Sequence, residues 1–309
     1  MKKLLVCGGG VLGSQIAFQS AFHDYEVVNW LRSEGSIERA KKKYALVEKM
    51  YSDTLEAMKN DPLAHANGLA EKGVSLEEIE KMQDKVSHLM EKIVLTTDLK
   101  EAAKDADIII EAIAENPEEK KAFYSKLNEV IEDKTILCTN SSTFLPSQFA
   151  DDIKKPERFL ALHFANTIWK NNTAEIMGHP GTDPEVFQQV VQFAEDIRMV
   201  PLPLKKEQHG YILNSLLIPF LNAGQALWAN DIAEPETIDK TWMIATGAPV
   251  GPFRILDVVG LTTAYNILQL NPNTKTPGTV EYKIATKLKE YMDQGKLGLS
   301  AGEGFYKYK

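Results

Sequence analysis

The stretch Gly8-Gly9-Gly10-Val11-Leu12-Gly13 constrains this chain more than any other. It follows a short apolar run, Leu4 to Cys7, and opens a segment from Val11 to Phe22 with apolar residues at helical spacing. A lone G-x-G-x-x-G is weak; between a strand and a helix it carries meaning. Gly8 permits a tight turn, Gly10 lets the backbone approach a pyrophosphate, and Gly13 lets helix and strand pack closely. The first helical turn, from Val11 and Leu12, offers unpaired N–H groups and partial positive charge to phosphates. The expectation is a dinucleotide bound over Gly8 to Gly13.

The rest of the chain repeats this unit. A second strand is expected at Glu26 to Leu31, then strands at Ile93 to Thr96, Ile108 to Glu111, Ile136 to Thr139 and Phe159 to Phe164, with helices between them. Pro117 suits a first helical turn. Further strands are expected at Thr173 to Met177 and Met199 to Leu204. Alternating strands and helices predict an α/β, Rossmann-type, doubly wound and mainly parallel sheet. Residues 36 to 91 interrupt it: they are rich in Lys, Glu, Met and Ala, with breaks at Asp61-Pro62 and 68–73, and predict an inserted helical hairpin. Its run Lys41-Lys42-Lys43 reads as a solvated face.

Near Lys205 the character changes, which divides the chain into a dinucleotide-binding domain, 1–204, and an all-helical domain, 205–309. Tyr211 to Ala229 is long and apolar, with Pro219 inside it, so a kink or break is expected there. An apolar helical domain following a complete cofactor domain predicts a homodimer through those helices.

Composition excludes several function classes. The 309 residues are 44% hydrophobic and 25% charged, with a formal net charge of -8. That balance argues against nucleic acid and anionic membrane as partners, which need clustered positive charge. The start, Met1 to Val6, is too short an apolar run for a signal peptide. No strictly apolar run approaches 18 residues. The two cysteines, Cys7 and Cys138, end apolar strands and read as buried thiols in a reducing, cytoplasmic setting. No HExxH, P-loop lysine or paired CxxC occurs, so no metal site is expected.

Cofactor choice is expected about 20 residues after the glycine loop, where an NAD site usually has Asp or Glu for the ribose 2′-hydroxyl. Here Leu31 holds that place, followed by Arg32 and Ser33. An arginine and a hydroxyl suit a 2′-phosphate, so the reading is NAD(P)(H) with NADP(H) favoured. The alternative has Arg32 stacking on adenine or facing water, with Glu34 serving the ribose.

A candidate acid–base pair lies in two adjacent apolar segments. His163 ends one, and Glu175 lies inside the next, twelve residues on. A hairpin-like return would set them side by side, and a buried carboxylate would fix the histidine's tautomer and stabilise its charged form. The other ring nitrogen could then exchange a proton with a substrate oxygen during hydride transfer. From spacing alone, a lone strand histidine is more often a satisfied core residue. The other histidines carry no role.

These segments together resemble the L-3-hydroxyacyl-CoA dehydrogenase family along essentially the whole chain. The matches are the glycine loop, Ile110 to Asn116, Thr139 to Thr143, Leu162 to Asn166, Gly210 to Asn214, Gly251-Pro252-Phe253 with Asp257 to Leu261, and a tail from Gly295 to Tyr306. The wording from Asn166 to Met177 and at Asn214 to Leu217 is similar to the diketoreductase-like branch. The resemblance implies that His163 is the catalytic base and acid, with Glu175 orienting it. It implies that Ser141 and Asn214 hold the reacting oxygen and carbonyl, that Asn166 supports the pocket, and that Glu115 and Lys120 meet the cofactor near the nicotinamide. The implied substrate is a 3-hydroxyacyl or 3-oxoacyl compound, a CoA thioester such as 3-hydroxybutyryl-CoA first.

Departures keep alternatives open. Besides Leu31, Thr167 replaces a proline after Asn166. The hairpin serine and lysine that meet coenzyme A fall, by counting, on Val47 and Thr54. A free 3-oxo acid, ester or diketone, or an L-gulonate-type hydroxy acid, therefore competes as substrate. A non-catalytic dinucleotide-binding protein is the remaining reading, and it would be expected to lack the His163–Glu175 pair.

Overall fold

The computed structural model describes residues 3–308. Eight strands form one sheet: β1 (Lys3–Cys7), β2 (Glu26–Trp30), β3 (Ile93–Thr96), β4 (Ile108–Glu111), β5 (Ile136–Thr139), β6 (Phe159–Phe164), β7 (Thr173–Gly178) and β8 (Val200–Pro203). Their spatial order is β3-β2-β1-β4-β5-β6-β7-β8. All pairings are parallel except β6 with β7, which is antiparallel. This is the doubly wound α/β sheet that the alternating pattern predicts. Its order reverses between β1 and β4, and ligands of such sheets bind beyond the strand carboxyl ends at that point.

Side chains alternate across each strand. Leu4 and Val6 of β1 face one apolar layer, while Leu5 and Cys7 face the other. Both faces are covered, so the central strands β4, β5 and β6 are buried throughout. β8 sits at an edge, where Pro201 and Pro203 are tolerated because one side of the strand needs no donors. Both cysteines are free and buried, and burial pushes their thiols up.

The helices follow the strands. They are α1 (Val11–Phe22), α2 (Glu34–Asn60), α3 (Leu76–Ser87), α4 (Leu99–Ala103), α5 (Pro117–Asn128) and α6 (Pro184–Asp196). α2 and α3 are the inserted hairpin. The buried stripe of α2 runs Ala40, Tyr44, Val47, Tyr51, Thr54, Leu55 and Met58, the spacing of one helical face. α3 begins with a capping box between Ser75 and Glu78.

The chain forms two compact units, Met1–Ile212 and Leu213–Lys309. α7 (Tyr211–Ala229) starts at the end of the first; α8 (Pro235–Thr246), α9 (Pro252–Val259), α10 (Leu261–Leu268) and α11 (Val280–Asp293) belong to the second. The core of the second unit centres on Leu221, Trp228, Phe253, Leu256 and Leu288. Two buried aspartates organise it. Asp239 accepts from the Phe253 and Arg254 amides, at 2.9 and 3.0 Å, and so caps α9 from outside. Asp257 accepts from the amides of Phe305 and Tyr306 and from the Tyr308 hydroxyl, at 2.8, 2.9 and 2.8 Å. The Gly251 and Asp257 motifs and the tail are thus explained by packing.

α7 continues through Pro219 without a break. Proline removes one donor and crowds the preceding turn, and a nineteen-residue helix absorbs that loss. α7 is also long and apolar enough, by length and composition, to cross a membrane, although Asn214, Asn222 and Gln225 interrupt its apolar run. Only 28% of its most apolar window is buried in the chain.

Candidate active site

The glycine loop makes the first wall of the site. Gly8 has φ +120°, and a Cβ there would lie 2.4 Å from the Ala112 carbonyl oxygen that follows β4. A Cβ on Gly13 would lie 2.2 Å from the Gly8 carbonyl oxygen. Those two glycines allow β1, α1 and β4 to approach one another. Gly10 differs: a Cβ there would meet nothing within 4 Å. It faces an open cleft at the start of α1, whose first turn has no side-chain cap. A loop pressed against its own sheet yet open above Gly10, at a bare helix N-terminus, fits a pyrophosphate.

The cleft continues both ways. On one side it is lined by Leu31, Arg32, Ser36, Arg39 and Lys43. Leu31 is buried, with its Cδ2 beneath Gly9. Arg32 is largely exposed and pairs with Glu119 at 3.5 Å. Ser33 caps α2, accepting from the Ser36 amide. Ser36, one turn on, lines the cleft, and its hydroxyl accepts from Arg39 at 2.8 Å. Val11 is exposed beside Leu12 on the first turn of α1.

On the other side the lining includes Glu115, Lys120, Asn140, Ser141 and His163. The antiparallel register of β6 and β7 sets His163 directly opposite Glu175. His163 Nδ1 and Glu175 Oε2 are 3.0 Å apart, and both side chains are buried. A carboxylate only accepts, so Nδ1 carries the proton and Nε2 is the nitrogen left to reach the cleft. Glu175 Oε1 accepts from the Ile212 amide at 2.8 Å, so both carboxylate oxygens are fixed.

Ser141 follows β5. Its hydroxyl donates to Glu115 Oε1 at 2.7 Å and accepts from the Phe144 amide at 2.9 Å. Burial works to raise the Glu115 carboxyl; the Lys120 ammonium and hydrogen bonds from Ser141 and the Ser142 amide more than offset that and lower it. Lys120 is buried, with its ammonium between Glu111, at 2.7 and 2.9 Å, and Glu115, at 3.3 Å. Tyr124, Thr139 and the Ile113 amide complete the coordination of Glu111.

The first unit therefore brings together Gly10, Glu115, Lys120, Ser141, His163 and Glu175. Asn166 is exposed just beyond β6, and its carbonyl accepts from Asn171 Nδ2 at 2.8 Å. Asn214 lies on the first turns of α7, half-buried, in the second unit. Residue-by-residue reading missed Glu111, Asn140 and Tyr211, each of which sits inside a matched segment but carries no motif of its own. Tyr211 stacks on His163, with ring centroids 4.4 Å apart. Among the described residues no group of His, Cys, Asp and Glu could hold a metal.

The chain is similar to known proteins along its whole length. Residues 3–208 match the family described as 3-hydroxyacyl-CoA dehydrogenase, NAD binding domain, and residues 210–308 match its C-terminal domain. A probable 3-hydroxyacyl-CoA dehydrogenase of Caenorhabditis elegans is 28% identical over 100% of this chain and 93% of its own length. A probable 3-hydroxybutyryl-CoA dehydrogenase of Bacillus subtilis (strain 168) is also 28% identical, over 100% and 98%. The solved structure of a diketoreductase, described as performing substrate-directed dual catalysis of dicarbonyl compounds, superposes with a TM-score of 0.86. It is 46% identical and covers 100% of this chain and 99% of that one. The chain belongs to the 3-hydroxyacyl-CoA dehydrogenase family, oxidoreductases that act on a CH–OH carbon with a nicotinamide dinucleotide.

Proposed function

We propose that this chain interconverts an L-3-hydroxyacyl compound and its 3-oxo form, with His163 as the proton-transferring group. The buried His163–Glu175 pair, 3.0 Å apart beside the dinucleotide cleft, carries this reading. A bound nicotinamide supplies hydride to C3 in reduction, or takes it in oxidation. In reduction His163 Nε2 gives its proton to the oxygen as negative charge develops there. Glu175 stabilises the imidazolium from which that proton leaves, and in oxidation the neutral ring accepts it back. Ser141 turns its hydroxyl from Glu115 to the substrate oxygen and stabilises the developing charge. Asn214 holds the acyl carbonyl, and Asn166 supports the pocket from its rim. Glu115 contacts the cofactor, and Lys120 acts through Glu115.

For the cofactor we propose a preference for NADP(H). Four cationic side chains, Arg32, Arg39, Lys43 and Lys126, line this part of the cleft. The place of the ribose carboxylate holds the buried Leu31. The family description, NAD binding, supports the dinucleotide and leaves the 2′-phosphate to experiment.

A second substrate reading has its own support. Val47 and Thr54, which fall at the positions of the family's coenzyme A contacts, are buried. The Thr54 hydroxyl donates to the Met50 carbonyl and accepts from Trp169 Nε1. Neither offers a polar group to a CoA tail, which favours a free 3-oxo acid, ester or diketone. Steady-state kinetics crossing NADH and NADPH with acetoacetyl-CoA and a 3-oxo ester separate these readings. The expected outcome is turnover of acetoacetyl-CoA with higher kcat/KM for NADPH. A clear NADH preference overturns the phosphate assignment. Turnover of the ester alone moves the substrate to the second reading.

We also propose a homodimer through the second unit. Leu216, Ile244, Val258 and Leu270 are 69%, 74%, 69% and 83% exposed there, more apolar surface than an isolated helical domain presents at no cost.

A further inference from the structure

We infer that Tyr211 is a positioning residue that holds the acid–base histidine and the oxygen-binding serine in one geometry. Three contacts within the first unit point to it. Its ring lies flat on the imidazole of His163, with centroids 4.4 Å apart and planes inclined by 17°. Its hydroxyl donates to the Ser141 carbonyl at 2.6 Å, tying down the backbone that carries the Ser141 side chain. The next amide, Ile212 N–H, donates to Glu175 Oε1. One residue and its neighbour thus touch His163, Ser141 and Glu175, which come from β6, the loop after β5, and β7.

The backbone is bent to make this possible. Tyr211 has φ +53°, in the left-handed region that a bulky side chain rarely adopts, directly after Gly210 at φ +75°. A conformation of this kind is costly and persists only where the surroundings over-determine it. Tyr211 is buried to 1% exposure, packed against Ala161 and Met177 in addition to its ring and hydroxyl contacts. The strain buys orientation. A histidine fixed only at Nδ1 can still rock about that hydrogen bond. A ring packed flat on its face removes that motion and keeps Nε2 aimed at the cleft.

The two contacts separate by mutation. Tyr211→Phe keeps the stacked ring and removes the tie to Ser141; Tyr211→Leu removes both. The inference rests on the assignment of His163 as the proton-transferring group, so His163→Ala is measured alongside. The expected result is a three- to tenfold fall in kcat for Tyr211→Phe and a fall of fiftyfold or more for Tyr211→Leu. The dissociation constant for the reduced dinucleotide, read by fluorescence, stays within twofold in both variants. A merely structural tyrosine would lower the melting temperature without this split between kcat and cofactor binding. The inference is overturned if folded Tyr211→Phe turns over within 1.5-fold of the parent chain, or if folded Tyr211→Leu is no slower than Tyr211→Phe. Should Tyr211→Leu fail to fold, Tyr211→Phe decides alone. An active His163→Ala removes the assignment beneath the inference; an inactive His163→Ala with unaffected Tyr211 variants removes only the inference.

Discussion

At the scale of single residues, the site separates a group that moves protons from groups that hold it in place. In the proposed mechanism His163 is the former. General acid–base help is worth roughly 10²–10⁴ in rate, so His163→Ala should lose about that much kcat while still binding dinucleotide. Stopped-flow or steady-state rates beside a fluorescence titration check both halves, and near-normal turnover would sink the role. Lys120 is of the second kind. It is buried to 1% exposure against Glu111 at 0%, and removing one partner of a buried pair leaves a charge uncompensated. Lys120→Met should therefore cost about 3–5 kcal/mol of stability in denaturant melts, and a loss below 1 kcal/mol would contradict this. Legibility at this scale was uneven. The spacing of His163 and Glu175 allowed a contact without arguing for catalysis, because a strand histidine is commonly structural. The resemblance implied the role, and the register of β6 and β7 supplied the contact. Tyr211 was invisible, since nothing in a sequence marks a tyrosine forced to positive φ beside a histidine.

At the scale of elements, the glycine loop carries a prediction that depends on which glycine is changed. Gly13→Ala must push a methyl into the Gly8 carbonyl, 2.2 Å from the new Cβ. Gly10→Ala meets nothing within 4 Å, and its φ of -72° suits any residue. Gly13→Ala should lower both the melting temperature and cofactor affinity. Gly10→Ala should leave the melting temperature within about 2 °C, on the scale where 1 kcal/mol shifts it by a few degrees, and still weaken dinucleotide binding at least tenfold. Equal losses of stability in the two variants would refute the assignment of Gly10 to the phosphate face. Elements were the most legible level. The expected strands at Ile93 to Thr96, Ile108 to Glu111, Ile136 to Thr139 and Phe159 to Phe164 have the observed bounds. Each is a short apolar run between polar turns, and buried parallel strands leave that signature. Of the kink or break expected at Pro219, the break is absent, because a proline's local cost says nothing of the helix on either side of it. The antiparallel turn of β7 onto β6 was only half legible, since strand direction depends on a short connection rather than on strand residues.

At the scale of the whole molecule, α7 presents an apolar surface that this chain alone leaves uncovered. Asn214, Ser215, Asn222 and Gln225 lie along the helix, and such groups are costly in hydrocarbon but tolerable against another protein. Specific protein interfaces bury about 800 Å² per partner, an area that several large apolar side chains on adjoining helices can supply. The second unit offers Leu216 on α7, Ile244 on α8 and Val258 on α9, all more than two-thirds exposed. Sedimentation of the full chain at micromolar concentration should therefore give about twice 34.5 kDa. Leu216→Lys combined with Val258→Lys should shift it to the monomer mass while leaving the far-ultraviolet spectrum unchanged, because neither side chain is needed inside its own unit. A parent chain that sediments as a monomer overturns the dimer. Co-flotation of the monomeric parent with phospholipid vesicles would assign the same face to a membrane instead. Composition could foresee that an apolar helical unit needs a cover. It could not foresee which side chains would face outward, since that depends on how α7 to α11 share their core among Trp228, Phe253 and Leu288.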